Sequence, residues 1–495
     1  MVIALGPVLL SATLSPVLFG QSAGSSPEQA TRSSNSIFGP LRVSGSLRTR
    51  FEAWDWFRDS ANNSYVYNGS LLRIGLTGDK GTYDWQIELA LPILLGLPRD
   101  SIAPGAQGQL GFGGTYLAAN SGNTNAAIPF LKQGFIRFKG IGTGKHQSLR
   151  FGRMELSEGA EIVPPNGTLA ALKRDRIAQR LLGNFGFTHV GRSFDGAQYV
   201  FDDGKTNLTL FGARPTRGVF QVDGWGELRI HVFYGAITRE RAGSRNAAEW
   251  RLFGIGYSDY RDATLKTDNR PLSARLLDPS RIHLATAGGH FLQVAETPAG
   301  PFDFLVWGAL QGGSWGMLAQ RSGAVAVEAG WQPAALRKVR PWVRGGFNYG
   351  SGDGNPDDRT HGTFFQLLPT PRVYARFPFF NLMNLRDTFG EVIFRPYGNL
   401  TLRADVHALR LAHRNDLWYL GGGAFQPWTF GYTGRPSGGT SGLATLYDAS
   451  VDYGFTPRAS VSVYYGRAAG KSVVNNTYPL GTFAHFGFVE LTVRF

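Results

Sequence analysis

The sequence predicts an all-β fold, namely a transmembrane antiparallel up-and-down β-barrel of about 18 strands with short periplasmic turns and long extracellular loops. Three observations predict it. Segments in which apolar and polar residues alternate recur along the chain, tight turns alternate with long loops, and the last alternating segment ends in Phe495. A period of two is what a strand needs when one of its faces meets lipid and the other meets water.

The composition limits the classes of protein to which the chain can belong. It has 495 residues, no Cys and a net charge of +14, and 13% of its residues are aromatic. Without Cys there is no disulfide scaffold and no thiolate site, which suits a protein that crosses the oxidising periplasm. The mean hydropathy is −0.15, and beyond the N-terminus no apolar run reaches the roughly 18 residues that a membrane helix requires. A membrane crossing must therefore use a closed barrel.

The N-terminus predicts a secreted protein. Residues 1–20 are apolar but are interrupted by Pro7 and Pro16, and small residues follow them. We interpret 1–24 as a signal peptide, although no Lys or Arg precedes the apolar run, and 25–40 as a flexible segment. Residues 41–495 are predicted to form one barrel, because no low-complexity linker or long repeat divides them.

Along the chain, each predicted strand has its polar and apolar residues on opposite parities. In the first strand the even positions include Arg50 and Glu52, and the odd positions include Leu47 and Phe51. Charge is dense on the polar parity, which favours a water-filled interior over a packed core. The predicted strands are 41–54, 70–77, 82–91, 130–139, 148–153, 193–202, 206–214, 228–236, 250–258, 281–289, 302–310, 323–331, 340–349, 389–395, 400–410, 445–453, 459–467 and 485–495.

The links between these strands alternate in length, as in outer-membrane barrels. Aromatic residues near the strand ends, among them Trp54, Trp331 and Trp342, suit girdles at the membrane interfaces. Only 168–182 has a competing helical period. Tight turns lie at 78–81 and 202–205, and the long loops are 92–129, 154–192, 350–388 and 411–444.

Arginine dominates the cations on the polar parity. In a closed barrel these side chains converge on one lumen, whose low-dielectric wall would attract anions. A guanidinium also binds a carboxylate bidentately, which an ammonium cannot do. The alternatives are a lumen of mixed charge without selectivity, and two soluble all-β domains, which would leave the dense charge unexplained. The lumen candidates on this parity are Arg48, Arg50, Glu52, Arg73, Glu88, Arg344, Arg403 and Asp405.

Four groups of residues resemble the alginate export family of bacterial outer-membrane barrels. Their order and spacing span nearly the whole chain after residue 40. The stretches are LRTRFEAW with LLRIGL (47–54, 71–76), FGRMEL (151–156), QRLLGNFGFTHVGRSFDGAQ (179–198), and YGSGDGNPDDRTHGTFFQLLPT with NLMNLRD (349–370, 381–387).

The resemblance implies a barrel of about 18 strands with an arginine-rich constriction that passes an anionic polysaccharide outward. The 154–192 loop departs from the family pattern by an extra basic, Pro-containing stretch, which leaves the polymer's identity open. Carried onto this sequence, the resemblance implies pore arginines at Arg50, Arg73, Arg153, Arg180 and Arg192, with Glu155 and Asp195 as their acidic partners.

Metal and catalytic signals are weak. Asp353, Asn355 and Asp357 form a candidate Ca²⁺ loop, but no bidentate Glu follows at the EF-hand spacing, so a solvated turn is favoured. We therefore predict no cofactor, with structural Ca²⁺ as the alternative. There is no Gly-x-Ser-x-Gly elbow and no Ser/His or Asp/His pair on matching parity, so we predict that the protein is not an enzyme.

The predicted function is an outer-membrane channel that passes an alginate-like uronate polymer outward through an electropositive lumen. The first alternative is a general or small-anion porin that takes up solutes, and the second is an adhesive barrel that acts through its long loops. The predicted partners are the anionic polysaccharide or another anionic solute, outer-membrane lipid, periplasmic secretion proteins, and the barrel assembly machinery through the strand that ends in Phe495. Nucleic acid is not among them.

Overall fold

The structure of the chain, a computed structural model, describes residues 38–58, 61–142, 144–241, 246–262, 264–370 and 376–495. The predicted signal peptide and residues 25–37 of the predicted flexible segment lie outside the described residues. Among the residues that the structure describes, none of the helices combines the length and the apolar content that a membrane crossing requires.

The described chain is built mainly of strands, with a few short helices in the links between them. The strands are β1 (Leu41–Asp55), β2 (Ser64–Asp79), β3 (Tyr83–Leu95), β4 (Ala126–Ala127), β5 (Phe130–Lys139), β6 (Gln147–Met154), β7 (Phe194–Asp202), β8 (Thr206–Pro215), β9 (Ile230–Arg241), β10 (Asn246–Asp259), β11 (Ile282–Ala295), β12 (Phe302–Trp315), β13 (Leu318–Trp331), β14 (Trp342–Gly350), β15 (Thr360–His361), β16 (Leu385–Tyr397), β17 (Leu400–Leu411), β18 (Trp418–Gly421), β19 (Tyr432–Arg435), β20 (Gly442–Thr456), β21 (Ala459–Gly470) and β22 (Phe483–Arg494). The helices are α1 (Phe112–Ala119), α2 (Gly167–Leu172), which a π-helical turn (Lys173–Ile177) extends, α3 (Leu272–Leu276) and α4 (Ser472–Thr477), besides a 3-10 turn (Ala334–Leu336).

Eighteen of these strands form a closed antiparallel barrel, and β4, β15, β18 and β19 lie in the loops. Each barrel strand pairs with its neighbours along the chain, and β1 closes the sheet on β22, with Arg50 opposite Glu490. Each of the 18 strands predicted from alternation overlaps one barrel strand. The predicted fold is therefore confirmed.

The C-terminal residue takes part in the closure of the barrel. The N–H of Gly45 donates to the carbonyl of Phe495 at 2.8 Å, and the N–H of Phe495 donates back to Gly45 at 3.0 Å. A Cβ at residue 45 would clash with the Phe495 ring, so glycine at this position leaves room for the ring against β1. The strand that ends in Phe495 thus completes the last seam of the barrel.

The period of two divides the barrel wall into an inner and an outer face. On β1, the Arg50 side chain points into the barrel and is 1% exposed, whereas Phe51 points outward and is 59% exposed. An outward aromatic residue contacts lipid in a membrane barrel, and an inward guanidinium needs water or an ionic partner. Parity therefore predicted correctly which residues face the interior.

The interior is not polar along its whole length. At the end of the barrel that carries the long loops, the segments 96–129, 155–193, 351–370, 376–384 and 412–441 fold inward and bury a core rich in aromatic side chains. Within that core Trp54 stacks on Phe486 with ring centroids 4.0 Å apart. The expectation of a water-filled interior is wrong here, because the loops supply apolar residues. Alternation within the strands does not predict where these loop residues pack.

Most of the strand-end aromatic residues predicted to form interfacial girdles are also buried inside, namely Trp54, Trp56, Tyr67, Trp342, Trp418 and Tyr419. Trp54, Trp342 and Trp418 are 1–2% exposed. The first two lie on the inner parity of their strands, and Trp418 lies in a loop strand. Trp331, on the outer parity of β13, is exposed as a girdle residue should be, and stacks on Phe302 of β12.

One of the inward loops carries a buried, titratable ring outside the barrel strands. His361 stacks on Trp315 with ring centroids 4.2 Å apart, and its Nδ1 lies 2.7 Å from Oε1 of Gln320. Burial lowers the pKa of His361 to about 3, while the nearby Asp268 raises it and Arg270 lowers it further. The ring is therefore neutral in the packed loop at neutral pH.

We predict that acid loosens this loop. In the opened loop His361 has a pKa near 6.5 and becomes protonated in mild acid, whereas in the packed loop it stays neutral. The full stabilisation of the packed loop is therefore present above about pH 6.5 and decreases as the pH falls below that value. Between pH 7 and 5 the contribution of His361 alone falls by about 2 kcal/mol. Asp416, which accepts from Thr363 of the same loop and whose pKa burial raises to about 6, offsets part of that loss. Hydrogen exchange of residues 351–364, corrected for intrinsic rates, should become faster between pH 7 and pH 5 in the wild type. The His361→Gln variant should not show this acceleration. An equal loss of protection in that variant would contradict the prediction.

Candidate functional site

Arg50 lies at the centre of the first group of charges in the lumen. Its Nε and Nη2 donate to Oε2 of Glu490 at 2.8 and 2.5 Å, and its Nη1 donates to Glu52 at 3.2 Å. The rings of Phe187 and Phe488 lie against the guanidinium at 4.3 and 4.7 Å. Arg50 is thus a buried cross-link between β1, β22 and an inward loop. A passing solute would not touch it.

Arg48, two residues earlier on the same face, holds the same loop through backbone carbonyls. Its Nη1 donates to the carbonyl of Gly186 at 2.7 Å, its Nη2 donates to Thr188, and its Nε lies 3.7 Å from Glu490. Glu52 in turn accepts from Tyr67 at 2.6 Å. Both predicted residues therefore face the interior, where they position the 180–193 segment.

Arg73 forms a second group that stays open to the lumen. Its Nε donates to Glu88 on β3 at 2.7 Å, and its Nη2 lies 2.9 Å from Glu155. Lys132, which the sequence reasoning did not select, lies 3.5 Å from Glu155. Two cations and two carboxylates therefore balance each other in this group, and Arg73 keeps the largest exposed fraction of the four side chains, 21%.

The third group anchors the segment that contains α2 and its π-helical extension. Lys173 pairs with Glu249 on β10 at 2.7 Å, Arg176 pairs with Glu328 on β13 at 2.8 Å, and Asp175 accepts from Arg403 on β17 at 3.2 Å. Successive residues on a helical turn point in different directions. The run Lys173–Arg176 can therefore reach strands around the barrel and hold the segment across the lumen.

The sequence contains a signal for this anchor, but the signal alone does not show whether the segment is solvated or packed inside the barrel. The stretch 168–182 has helical periodicity and contains the charge run KRDR at 173–176. A charge run on a helix usually marks a solvated face. Here the helix lies inside a barrel whose wall carries the matching carboxylates. Its charges are therefore paired with the wall and do not form a solvated face.

Arg344 and Arg403 join the ends of neighbouring strands. The Arg344 guanidinium pairs with Asp303 on β12, with Glu328 at 3.0 Å and with Glu391 at 3.7 Å. Arg403 also lies 3.3 Å from Glu391. On the same row Asp405 stands opposite Glu391 on β16 and opposite Asp448 on β20. All of these predicted residues face the lumen.

Arg180 and Arg192 lie in the 155–193 loop and are fully buried. Arg180 donates to the carbonyl of Arg176 at 2.5 Å and lies over the Trp307 ring at 4.8 Å. Arg192 donates to four backbone carbonyls at 3.0–3.3 Å, namely those of Gly183, Leu368, Gly422 and Ala424. The role that the resemblance implies for them, lining the pore, does not match this burial, because both guanidiniums are 0% exposed.

Arg153 and Asp195 form a bidentate pair with N–O distances of 2.7 and 2.6 Å, but on a different face. They stand opposite each other on β6 and β7, and Asp195 stands opposite the exposed Arg214 on β8. Phe151, two residues before Arg153 in an unshifted register, is 44% exposed on the outer wall. The pair therefore belongs to the outer parity, at the rim of the barrel. The pore role that the resemblance implies for both residues does not match this position.

The candidate calcium loop is a hydrogen-bonded turn. Oδ1 of Asp353 accepts from the N–H of Asn355 at 3.1 Å, and Oδ1 of Asn355 accepts from the N–H of Asp357 at 3.2 Å. Within the described part of the chain, no three His, Cys, Asp or Glu side chains are grouped so that they could hold a metal ion. The calcium hypothesis gains no support from this geometry.

Among the described residues, Arg137 on β5 pairs with Asp84 on the inner parity and is 45% exposed. We call five further arginines, each with an ionic partner and residual exposure inside the barrel, the open arginines. Two of them, Arg174 and Arg376, were not selected from the sequence because they lie in loops; they pair with Asp175 and with Asp452 on β20. The exposed fractions of their side chains are 11% for Arg48, 21% for Arg73, 24% for Arg174, 13% for Arg376 and 19% for Arg403.

The open arginines lie along one side of the barrel. Arg403 is on β17, Arg376 reaches β20 and the Tyr464 ring of β21, and Arg48 and Arg73 are on β1 and β2. These strands are contiguous through the β1–β22 seam. What the arrangement offers chemically is a row of guanidiniums that each have a protein carboxylate within 4 Å, with no nucleophile or acid–base pair among them.

Comparisons with solved structures show the architecture. The chain resembles OccAB2 of Acinetobacter baumannii (8% identity, TM-score 0.58, covering 93% of this chain and 99% of that one). It also resembles OpdK of Pseudomonas aeruginosa, solved with vanillate (9%, 0.54, 92% and 98%), and OccK9 (OpdG) of the same species (11%, 0.55, 92% and 98%). No match is found among curated proteins.

The sequence itself matches the family model described as "Alginate export" over residues 112–477. Together with the outer-membrane barrels above, this match identifies a channel of the bacterial outer membrane. The matched segment includes most of the inward loops, except residues 96–111, and most of the barrel strands. Because it covers well over half of the sequence, the chain belongs to the alginate export family.

Proposed function

We propose that this channel passes an anionic polysaccharide, an alginate-like uronate polymer, outward along the open arginines. The observation that carries the proposal is their residual exposure on one contiguous side of the lumen, from Arg403 on β17 to Arg73 on β2. The family match supports the substrate class. The partners predicted in the periplasm and in the barrel assembly machinery remain predictions.

A polymer can slide past such a wall because no single contact is strong. A partly exposed ion pair contributes about 0–1 kcal/mol. Each open arginine already has a protein carboxylate within 4 Å, so a uronate carboxylate exchanges with that partner and is released again. Neighbouring strands are about 4.8 Å apart, which is close to the spacing of successive carboxylates on a uronate chain. Direction then follows from the concentration gradient.

The second candidate is a porin for small carboxylates, and one observation favours it. The inward loops pack the long-loop half of the interior around aromatic side chains such as Trp54, Phe187 and Phe377. A narrow aromatic passage suits a small aromatic acid better than a hydrated polymer, and OpdK, which has this architecture, was solved with vanillate. Both candidates use the same guanidinium chemistry, so solute size distinguishes them.

The experiment is single-channel recording in a planar bilayer. The reversal potential under a salt gradient reports ion selectivity, and oligouronate or vanillate is then added to either side. Anion selectivity with current block by oligouronate supports the polymer channel. Block by vanillate alone supports the small-carboxylate porin. Weak selectivity without block by either solute would leave a general porin and refute both proposals.

We predict that the double variant Arg73→Gln/Arg403→Gln lowers the anion-to-cation permeability ratio about two- to fivefold, as the loss of contacts worth up to 1 kcal/mol implies. Glutamine keeps a polar side chain of similar length and removes only the charge. Arg153→Gln is the matched control, since Arg153 is equally well paired but lies on the outer parity. Equal loss of selectivity in control and double variant would place the selectivity elsewhere.

A further inference from the structure

The outer wall of the barrel differs between its two ends. Towards the short turns, many outward positions carry aromatic residues such as Trp250, Phe302 and Trp331, although the exposed Arg239 of β9 stands opposite Trp250. Towards the long loops, outward positions carry cations or histidines. These residues are His231, His283, Arg321, Arg386, Arg410, Arg467 and His485, on β9, β11, β13, β16, β17, β21 and β22.

Two of these cations lie side by side. Arg386 on β16 and Arg410 on β17 are opposite each other in the antiparallel register, and both are exposed. Like charges directly opposite on one face of a sheet destabilise it. Among the described residues, no carboxylate lies within 4 Å of either guanidinium. Arg410 donates to Oγ of Ser441 at 3.3 Å, and Arg386 lies 6.0 Å from the centroid of the Tyr349 ring.

The inner face of the same two strands is built differently. Arg403 of β17 faces the lumen and has two carboxylates within 4 Å, Asp175 and Glu391 of β16. The chain therefore provides protein counterions for the arginine inside the barrel and none for Arg386 and Arg410 outside it. An anion from the surroundings would relieve their repulsion.

A third cation extends the row. Gly442 of β20 stands opposite Arg410, and the Cβ of Lys471 would lie 3.4 Å from a Cβ built on that glycine. Lys471 is exposed. Because adjacent strands are about 4.8 Å apart, Arg386, Arg410 and Lys471 form a compact cationic patch at the long-loop rim, which we call the rim patch.

The surface beside the rim patch, towards the short turns, is apolar. On the outer parity of β17 and β20, Val406 is 43% exposed and Tyr447 is 53% exposed. A ligand that fills both regions must carry an anionic head and hydrocarbon chains. Free inorganic phosphate would use only the cations.

We propose that the rim patch binds the phosphate of a phosphorylated glycolipid of the outer leaflet, such as the lipid A part of lipopolysaccharide. A phosphate matches the planar donor fork of each arginine, and Lys471 adds a mobile point charge. The acyl chains of the lipid then lie along Val406 and Tyr447. This site is on the lipid-facing wall and does not depend on what the lumen transports.

The test measures lipid binding to the full-length protein in detergent micelles by native mass spectrometry. The probes are lipid A with both phosphates and the same lipid after enzymatic dephosphorylation. The wild type should bind the phosphorylated form at least about tenfold more tightly, given roughly 1 kcal/mol for each basic residue near an anionic lipid surface. Arg386→Gln/Arg410→Gln should lose that preference. Arg337→Gln/Lys338→Gln, which removes two exposed cations at the short-turn end, should keep it.

Heat-modifiable migration on gels confirms that each variant is a folded barrel, and Lys471→Gln, which lies outside the strands, gives an independent and smaller loss if the double variant fails to fold. An unchanged preference in the folded variants would overturn the proposal, as would equal binding of both lipids by the wild type. Release of bound lipid by an equal concentration of inorganic phosphate would reassign the patch to free phosphate. Retention of the lipid supports the proposal.

Discussion

Replacing Arg192 by Met is expected to release the inward loops and to raise single-channel conductance severalfold. The Arg192 guanidinium donates to four carbonyls on three separate segments, Gly183, Leu368, and Gly422 with Ala424. Methionine fills a similar volume but donates nothing. Each buried carbonyl left without a donor loses about 1–3 kcal/mol. Because no barrel strand contributes to this contact, the barrel wall should stay closed while its contents loosen.

The measurement combines conductance with hydrogen exchange of residues 180–193, 362–370 and 418–426. Both should rise together in the variant. Arg281→Met is the matched control, since Arg281 lies in the extracellular region, is well exposed and pairs with Asp262. Removing that ion pair should change neither quantity. Wild-type conductance with wild-type protection in the Arg192 variant would show that the loops are held by their aromatic contacts alone.

Parity in the sequence predicted the barrel because the two faces of each strand meet different solvents. Phe51 and Arg50 are adjacent in the chain, yet one meets lipid and the other meets ionic partners, so the alternation could not be relaxed without burying a charge unpaired. The same argument located Arg73, Arg344 and Arg403 in the lumen from the sequence alone. The register between the strands then places carboxylates within ion-pair distance of these arginines.

The contents of the barrel could not be predicted in this way. Arg180 and Arg192 belong to a loop, where no period relates a side chain to a face. The side-chain hydrogen bonds of Arg192 go to backbone carbonyls that any sequence supplies, and Arg180 combines such a bond with a distant carboxylate, Glu328 at 3.8 Å. Arg153 shows the opposite failure, since the resemblance to a family assigned it to the pore although its parity is that of Phe151. Arg174 and Arg376 are loop residues that join the row of open arginines through the tertiary fold, which the sequence pattern does not predict.

The contrast between buried and open arginines leads to a second prediction, on stability. Arg344→Met should destabilise the barrel by about 3–5 kcal/mol, the loss expected when one partner of a buried ionic group is removed. Arg344 is 1% exposed in its side chain and is the common partner of Asp303, Glu328 and Glu391. Without it, Glu328 and Glu391 keep Arg176 and Arg403 as partners, whereas Asp303 loses its cation in a site from which water is largely excluded.

Urea unfolding in micelles, followed by heat-modifiable migration, should show the loss as a lower midpoint. Arg403→Met is the matched comparison, because Arg403 also has two carboxylates within 4 Å but keeps 19% exposure, so water can solvate what remains. Its effect should be clearly smaller. Adding Asp303→Asn to Arg344→Met should recover part of the stability, since it removes one unpaired charge. Equal effects of the two arginine variants, without recovery in the double variant, would mean that packing rather than charge decides the stability of this wall.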